Sequence, residues 1–158
     1  MRPLHILLMG TGIDLGEAIP TRDYPDRGLR LCDLRISGQD AWAIIEAGKT
    51  EYRNRRVYLW PWVVTALQEH IERHGLSGSQ QLFTWRVRRV QKVHARTCQL
   101  AGITNYRIKD HRHTAAVAMA RAGVPLDLIQ KQLGHGRITA AHHAEDPHRS
   151  DPGVPARW

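Results

Sequence analysis

The apolar positions of this chain recur mostly at helical spacing. Val63, Leu67 and Ile71 stand four residues apart, with Pro61 suited to the first turn of a helix and Gly75 to its end. The same kind of pattern predicts four further helices, at about 4–19, 85–101, 111–122 and 126–133.

Alternation of apolar and polar residues marks a different region of the chain. Cys32, Leu34 and Ile36 alternate with charged neighbours, which predicts a strand. Two more strands are predicted at 41–47 and 56–60, joined by a polar turn that carries Lys49. We therefore expect an α+β fold that is mostly α, with a small three-stranded antiparallel sheet.

The last two predicted helices differ in how they are expected to pack. The helix at 111–122 is rich in alanine and valine, which predicts burial, and Asp110 suits its N-cap. The shorter helix that follows is expected to bury Leu126, Ile129 and Leu133 and to end at the next glycine.

The two ends of the chain suggest how the domain is bounded. The first predicted helix begins almost at Met1 without a capping residue, so we expect that an N-terminal portion is missing. Beyond His135 the apolar periodicity stops and two Asp-Pro pairs follow. The sequence predicts a partial domain at 1–140 and a disordered tail at 141–158.

The charge balance favours a polyanionic partner. The chain has 23 Lys and Arg against 15 Asp and Glu, a formal net charge of +8 and a pI of about 10.2. Neutralising phosphates releases counterions, so DNA is a natural partner, although a protein that is merely rich in arginine would show the same balance. The apolar segment Leu4–Met9 is too short to span a bilayer and no targeting signal follows, which predicts a cytoplasmic protein without a membrane partner.

The predicted helix at 85–101 carries a basic stripe. Arg88, Lys92 and Arg96 stand four residues apart and would share one face. This arrangement suits a helix lying on DNA, and it equally suits any solvated helix face. We expect the apolar face of this helix to consist of Val90, Val93, Thr97 and Leu100.

The segment Lys-Asp-His-Arg-His-Thr at 109–114 has the chemistry of a phosphate-binding site. Arg112 and His113 fall in the first turn of a helix, where backbone N–H groups also attract anions. Gly134 and His135 follow directly after the next predicted helix, at 126–133. An arginine offers a rigid fork of donors, and imidazoles add donors or transfer protons.

Four motifs in order resemble the catalytic domain of tyrosine recombinases, the phage integrase family. They are Thr-Gly-Ile-Asp-Leu-Gly-Glu at 11–17, Lys49-Thr50 followed by Arg-Arg-Val-Tyr-Leu at 55–59, the segment at 109–114, and Leu-Gly-His at 133–135. The resemblance covers about residues 4–140 and implies the fold of that catalytic domain.

The resemblance also implies a metal-free reaction at a DNA phosphodiester, with no cofactor. In that family a tyrosine attacks the phosphate, two arginines stabilise the developing charge and a hairpin lysine protonates the leaving oxygen. Arg112 matches the second arginine, His135 the Leu-Gly-His histidine, and Lys49 the hairpin lysine. Lys109 stands where the family has a histidine. A lysine side chain is a poor proton acceptor near neutral pH.

Two departures from the family pattern bear on activity. Asp14 occupies the place of the first arginine, so an anion stands where a phosphate should bind. Ala144, nine residues after His135, occupies the place of the nucleophilic tyrosine. We therefore expect no DNA cleavage by the chain alone.

The resulting interpretation is a DNA-binding protein of the site-specific recombinase class without its own tyrosine nucleophile. Its partner is expected to be double-stranded DNA, bound through the stripe at 88–96 together with Arg55 and Arg56, and it could join an intact recombinase in an oligomer on DNA. The alternative is a non-catalytic DNA-binding or regulatory module that interferes with intact recombinases.

Two other interpretations are disfavoured. Tyr106 could replace the missing nucleophile, but its place in the sequence suits a core or loop aromatic. A zinc site could be assembled by histidines, but it needs converging ligands, which a disordered tail supplies poorly. The histidines considered for such a site are His111, His113, His135, His142 and His143.

Overall fold

A computed structural model describes residues 1–36, 40–46 and 54–134. In this part of the chain there are six α-helices and three strands. The helices are α1 (Arg2–Thr11), α2 (Leu15–Ala18), α3 (Pro61–His74), α4 (Val87–Leu100), α5 (Asp110–Arg121) and α6 (Leu126–Leu133), and the strands are β1 (Leu34–Arg35), β2 (Trp42–Ile45) and β3 (Arg55–Tyr58). The predicted fold class, mostly α with a three-stranded antiparallel sheet, is confirmed.

The N-terminal segment forms two helices, and the prediction of one continuous helix over 4–19 is wrong. Gly12 ends α1 in the left-handed conformation, with φ 71°, which glycine adopts without a steric penalty. Asp14 is the N-cap residue of α2, and its backbone N–H donates to Glu17 Oε2 at 2.8 Å. The break places Ile13 and Asp14 between the two helices instead of on a helix face.

The sheet has the strand order β1-β2-β3 and is antiparallel throughout. Ala43 pairs with Leu34 on one side and with Val57 on the other. The residues between β2 and β3 at 47–53 lie outside the described part, and Lys49 with them.

One face of this sheet packs with α1 and α3 in the main core. Gly10 allows the two helices to approach closely, since a Cβ there would lie 2.8 Å from the Trp62 ring. The fully or almost fully buried side chains of this core include Leu4, Leu7, Leu8, Ala43, Ile45, Val57, Val63, Leu67 and Phe83.

A second, smaller core joins α5 and α6. It consists of Ala115, Met119, Ile129 and Leu133. The prediction that Leu126 is buried is wrong, because its side chain is 69% exposed at the first turn of α6. Helix α5 is buried along one side only, so its alanine-rich sequence reflects close packing on that side and not burial all round.

Helix α4 packs through a face that only partly overlaps the predicted one, with Val90 common to both. Its buried residues are Val90 and His94, whereas Val93 and Leu100 are 38% and 73% exposed. A histidine therefore occupies the position next to Val90 on the buried side, one helical turn further along. The basic stripe lies on the opposite side of the helix.

Candidate phosphate site and DNA-binding surface

Arg112, in the first turn of α5, brings three separate motifs together. Its Nη1 donates to the Gly12 carbonyl at 2.9 Å, and its Nη2 donates to the Leu133 carbonyl. Both carbonyls belong to residues at helix C-termini, whose backbone oxygens lack helical partners. The Thr-Gly, His-Arg-His-Thr and Leu-Gly segments therefore meet at one guanidinium.

The start of α5 differs slightly from the predicted one. Lys109, and not Asp110, is the N-cap residue of the helix. The Asp110 carboxylate instead accepts a hydrogen bond from the Arg107 backbone N–H at 2.7 Å and forms an ion pair with the Arg107 guanidinium. These bonds hold the pKa of Asp110 below its usual range. Lys109 itself is exposed.

Asp14 lies beside the same guanidinium. Its Oδ2 is 3.8 Å from Arg112 Nη1, and its side chain is 49% exposed. The family resemblance places the first arginine at position 14. The carboxylate that stands there instead faces the Arg112 guanidinium. An incoming phosphate would meet one arginine whose charge is already partly balanced.

Arg55 is bound inside the protein. Its Nη1 forms an ion pair with Glu17 Oε1 at 2.8 Å, and its Nε donates to the Gln132 carbonyl at 3.0 Å. Both side chains of the ion pair are only 8% exposed. The sequence pointed to Arg55 as a DNA contact, but this placement leaves it out of any exposed basic surface.

Gln132 is a site residue that sequence reasoning missed. Its side-chain oxygen accepts from the Tyr58 N–H at 2.9 Å, and its amide nitrogen donates to the carbonyls of Tyr58, at 3.1 Å, and Thr11, at 3.4 Å. Gln132 thus connects α6 with β3 and with the end of α1. No motif marks this residue, because its role depends on the contact between distant segments.

The remaining predicted DNA contacts are exposed. Arg88, Lys92 and Arg96 lie on the solvent side of α4, and Arg56 lies on the outer face of β3. The Arg56 guanidinium is 4.9 Å from the centre of the Trp42 ring. Two predicted catalytic positions, Lys49 and His135, and the degenerate position Ala144 lie outside the described residues.

A cluster of three histidines lies where α1, α4 and α5 meet. His5 Nδ1 is 3.0 Å from His111 Nε2, and the His94 ring stacks on His5. Tyr106 is bound to this cluster, with its hydroxyl 2.7 Å from His111 Nδ1. Burial, with the nearby rings of His5 and His94, lowers the pKa of His111 to about 4.

Three of the four motifs that resemble the tyrosine recombinase catalytic domain meet at one arginine. The model of the phage integrase family matches residues 26–143. The chain belongs to the phage integrase family.

Solved structures of tyrosine recombinases share the fold. The XerA recombinase matches with a TM-score of 0.70 and 22% identity, over 86% of this chain and 48% of that chain. The XerH recombinase bound to its difH substrate matches with a TM-score of 0.65 and 20% identity, over 85% of this chain and 39% of that chain. The Tn1549 transposon integrase in complex with a circular intermediate DNA matches with a TM-score of 0.62 and 17% identity, over 85% of this chain and 50% of that chain.

The chain thus spans about half or less of the length of these proteins. No curated protein matches the chain. Within the described residues, no helix has the length and apolar character needed to cross a membrane.

Proposed function

We propose that this chain binds double-stranded DNA as a member of the site-specific recombinase class and does not cleave DNA by itself. The observation that carries the proposal is the environment of Arg112, which is positioned by the carbonyls of Gly12 and Leu133 and faces Asp14 at 3.8 Å. The positioning suits a phosphate ligand, and the carboxylate opposes the charge that a phosphorane transition state would develop.

The exposed side of α4 is the proposed DNA-binding surface. Arg88, Lys92 and Arg96 can each neutralise a backbone phosphate, and Arg56 offers a further cation on β3. The related XerH and Tn1549 structures contain DNA, which supports the same partner here. We also propose a cytoplasmic location, which is the location that the sequence predicts.

Fluorescence anisotropy with a labelled duplex tests the DNA-binding surface. Replacing Arg88, Lys92 and Arg96 with glutamine should weaken binding and reduce the slope of log K against log salt by about 2.7, because each phosphate contact contributes about 0.9. The control replaces the exposed Arg22, Arg73 and Arg121 with glutamine, which removes the same charge elsewhere. Equal losses in the two variants, or no binding at low salt, would contradict the proposal.

Asp14 can be tested through its effect on DNA affinity. Asp14→Asn should strengthen binding about fivefold, since removing one repulsive charge about 4 Å from a phosphate is worth ~1 kcal/mol in a water-like dielectric. Asp23→Asn, in an exposed loop, is the control for net charge. An unchanged affinity for Asp14→Asn, or an equal gain in the control, would show that Asp14 does not face the DNA.

The absence of unaided cleavage is tested with nicked duplexes that trap a covalent intermediate. With Ala144 at the place of the nucleophile, we expect no protein–DNA adduct on a denaturing gel. An active tyrosine recombinase on its own substrate serves as the positive control. A covalent adduct formed by this chain would overturn the proposal of inactivity.

Asp14 and Ala144 together favour a second function, which is interference with intact recombinases. A subunit that binds DNA but presents Asp14 and Ala144 would occupy a place in an assembly without reacting. Adding the chain to an intact relative should then inhibit recombination beyond what competition for DNA explains, and the α4 triple variant should not inhibit. Inhibition that excess DNA abolishes completely would indicate competition alone.

A further inference from the structure

The three histidines of the cluster converge from three helices. His5 comes from α1, His94 from α4 and His111 from α5, and the ring centres are 5.2 to 5.3 Å apart. One ring nitrogen of each histidine lies within 4.8 Å of the others. His94 and His111 are buried, with 7% and 4% of their surfaces exposed.

The hydrogen bonds of His111 fix which of its nitrogens is free to bind a metal. Thr114 donates its hydroxyl proton to the Asp110 carbonyl at 2.9 Å, so it accepts from the Tyr106 hydroxyl at 3.1 Å. The Tyr106 oxygen therefore accepts from His111 Nδ1–H at 2.7 Å. This leaves a lone pair on His111 Nε2, directed at His5.

A hydrogen bond to a carbonyl also fixes the tautomer of His94. Its Nε2 donates to the Tyr106 carbonyl at 3.2 Å, because a carbonyl oxygen can only accept. The other nitrogen, Nδ1, is then unprotonated. The sulfur of Cys98 lies on the Nε2 side, at 3.6 Å, and we leave it out of the ligand set for that reason.

We propose that His5, His94 and His111 bind one divalent transition-metal ion, with zinc as the best-fitting metal, at the junction of α1, α4 and α5. Imidazole nitrogen is a preferred ligand of zinc, and ligand nitrogens about 2.0–2.1 Å from one tetrahedral ion lie roughly 3.3 Å apart. The 3.0 Å separation of His5 and His111 is close to that value. His5 contributes Nδ1 after its proton moves to Nε2, with no net change in protonation.

The hydrogen bonds of Tyr106 support this assignment. Histidine ligands of metals usually donate their second ring N–H to a carbonyl, carboxylate or hydroxyl group, which fixes the ring. Tyr106 supplies both such acceptors, its hydroxyl for His111 and its carbonyl for His94. The supporting bonds of two ligands are therefore already in place.

A metal at this junction would connect α4 to the rest of the domain. The buried residues of α4 are only Val90 and His94, so His94 is one of its two buried anchors. The opposite face of the same helix carries the proposed DNA-binding surface. The site would be structural, and its occupancy would determine how firmly that surface is held.

Metal binding is measured on the full chain by titrating the chelator-treated protein with Co²⁺, whose visible absorption reports tetrahedral nitrogen coordination, and then displacing it with Zn²⁺. We expect one ion per chain. His5→Leu and His111→Leu should each weaken Zn²⁺ affinity by more than about 100-fold, since loss of a supporting bond alone costs 10–100-fold. Hydrogen exchange of α4 should slow when Zn²⁺ is added to the wild-type chain and not to the variants.

A control variant tests whether histidines outside the proposed site bind the metal. Replacing His74, His113, His135, His142, His143 and His148 with glutamine leaves His70 and the three proposed ligands. This variant should keep the Co²⁺ spectrum and the Zn²⁺ affinity, and this result supports the site even if the leucine variants fail to fold. Loss of binding in this variant, or wild-type affinity in a folded leucine variant, would overturn the proposal.

Discussion

At the scale of single residues, the ion pair of Glu17 and Arg55 makes the sharpest prediction. Glu17→Gln removes the charge that compensates a guanidinium whose side chain is 8% exposed. Breaking a buried ion pair by removing one partner is costly, so we expect the free energy of unfolding to fall by about 3 kcal/mol, as measured by urea denaturation. Glu69→Gln, on the exposed side of α3, is the control and should change it little. A loss below about 1 kcal/mol would mean that water reaches Arg55.

The same pair predicts how stability depends on pH. Burial raises the pKa of Glu17, but the hydrogen bonds and charge of Arg55 outweigh burial, and the pKa lies below its usual value of 4.5. A carboxyl with a lowered pKa in the folded state stabilises the protein above the unfolded value, and the contribution is lost as the pH falls through the folded value. The stability difference between wild type and Glu17→Gln should therefore be constant above about pH 5.5 and shrink at lower pH. A stability difference between wild type and Glu17→Gln that stays constant down to about pH 3 would contradict this prediction.

At the scale of secondary-structure elements, the end of α1 determines where Arg112 is held. A Cβ at Gly12 would meet Leu133 Cδ2 and lie 3.2 Å from the Ala115 Cβ, whereas a Cβ at Gly123 would meet nothing within 4 Å. Both glycines have positive φ, so alanine costs about 1 kcal/mol of backbone strain at either position. Gly12→Ala should cost about 2 kcal/mol more through overpacking, as measured by thermal or urea unfolding. Equal losses would show that the α1–α6 contact relaxes freely.

Helix α4 shows which features of a helix can be predicted from the sequence and which cannot. Its existence follows from the sequence, and so does the exposed basic stripe, because charged residues at four-residue spacing share a face. The buried face agrees with the predicted one only in part, because His94 is buried with Val90 while Val93 and Leu100 are exposed. A hydropathy pattern gives His94 no weight, and only the meeting of α1, α4 and α5 makes a buried histidine favourable there. The break at Gly12 was missed for a related reason, since apolar residues continue at helical spacing past it.

At the scale of the whole molecule, the described structure has two cores that meet at the candidate site. The main core is formed by α1, the sheet and α3, and the smaller core joins α5 and α6. Arg112 and Gln132 connect them through backbone groups of α1 and β3. The sequence identified Arg112 because arginine chemistry and the motif order coincide. It could not identify Gln132, whose partners are backbone atoms 74 and 121 residues away.

This two-core arrangement predicts that α6 can open separately from the main core. Gln132→Ala leaves the Tyr58 N–H and carbonyl without their side-chain partner, which should cost about 1–3 kcal/mol because these groups are partly buried. Native-state hydrogen exchange should then quicken in α6 by about tenfold or more while α3 keeps its wild-type protection, since α3 belongs to the main core. Lys131→Ala, on the exposed side of the same helix, should change neither helix. Faster exchange in α3 to the same degree would mean that the two cores unfold together, and the candidate site would then be as stable as the domain that carries it.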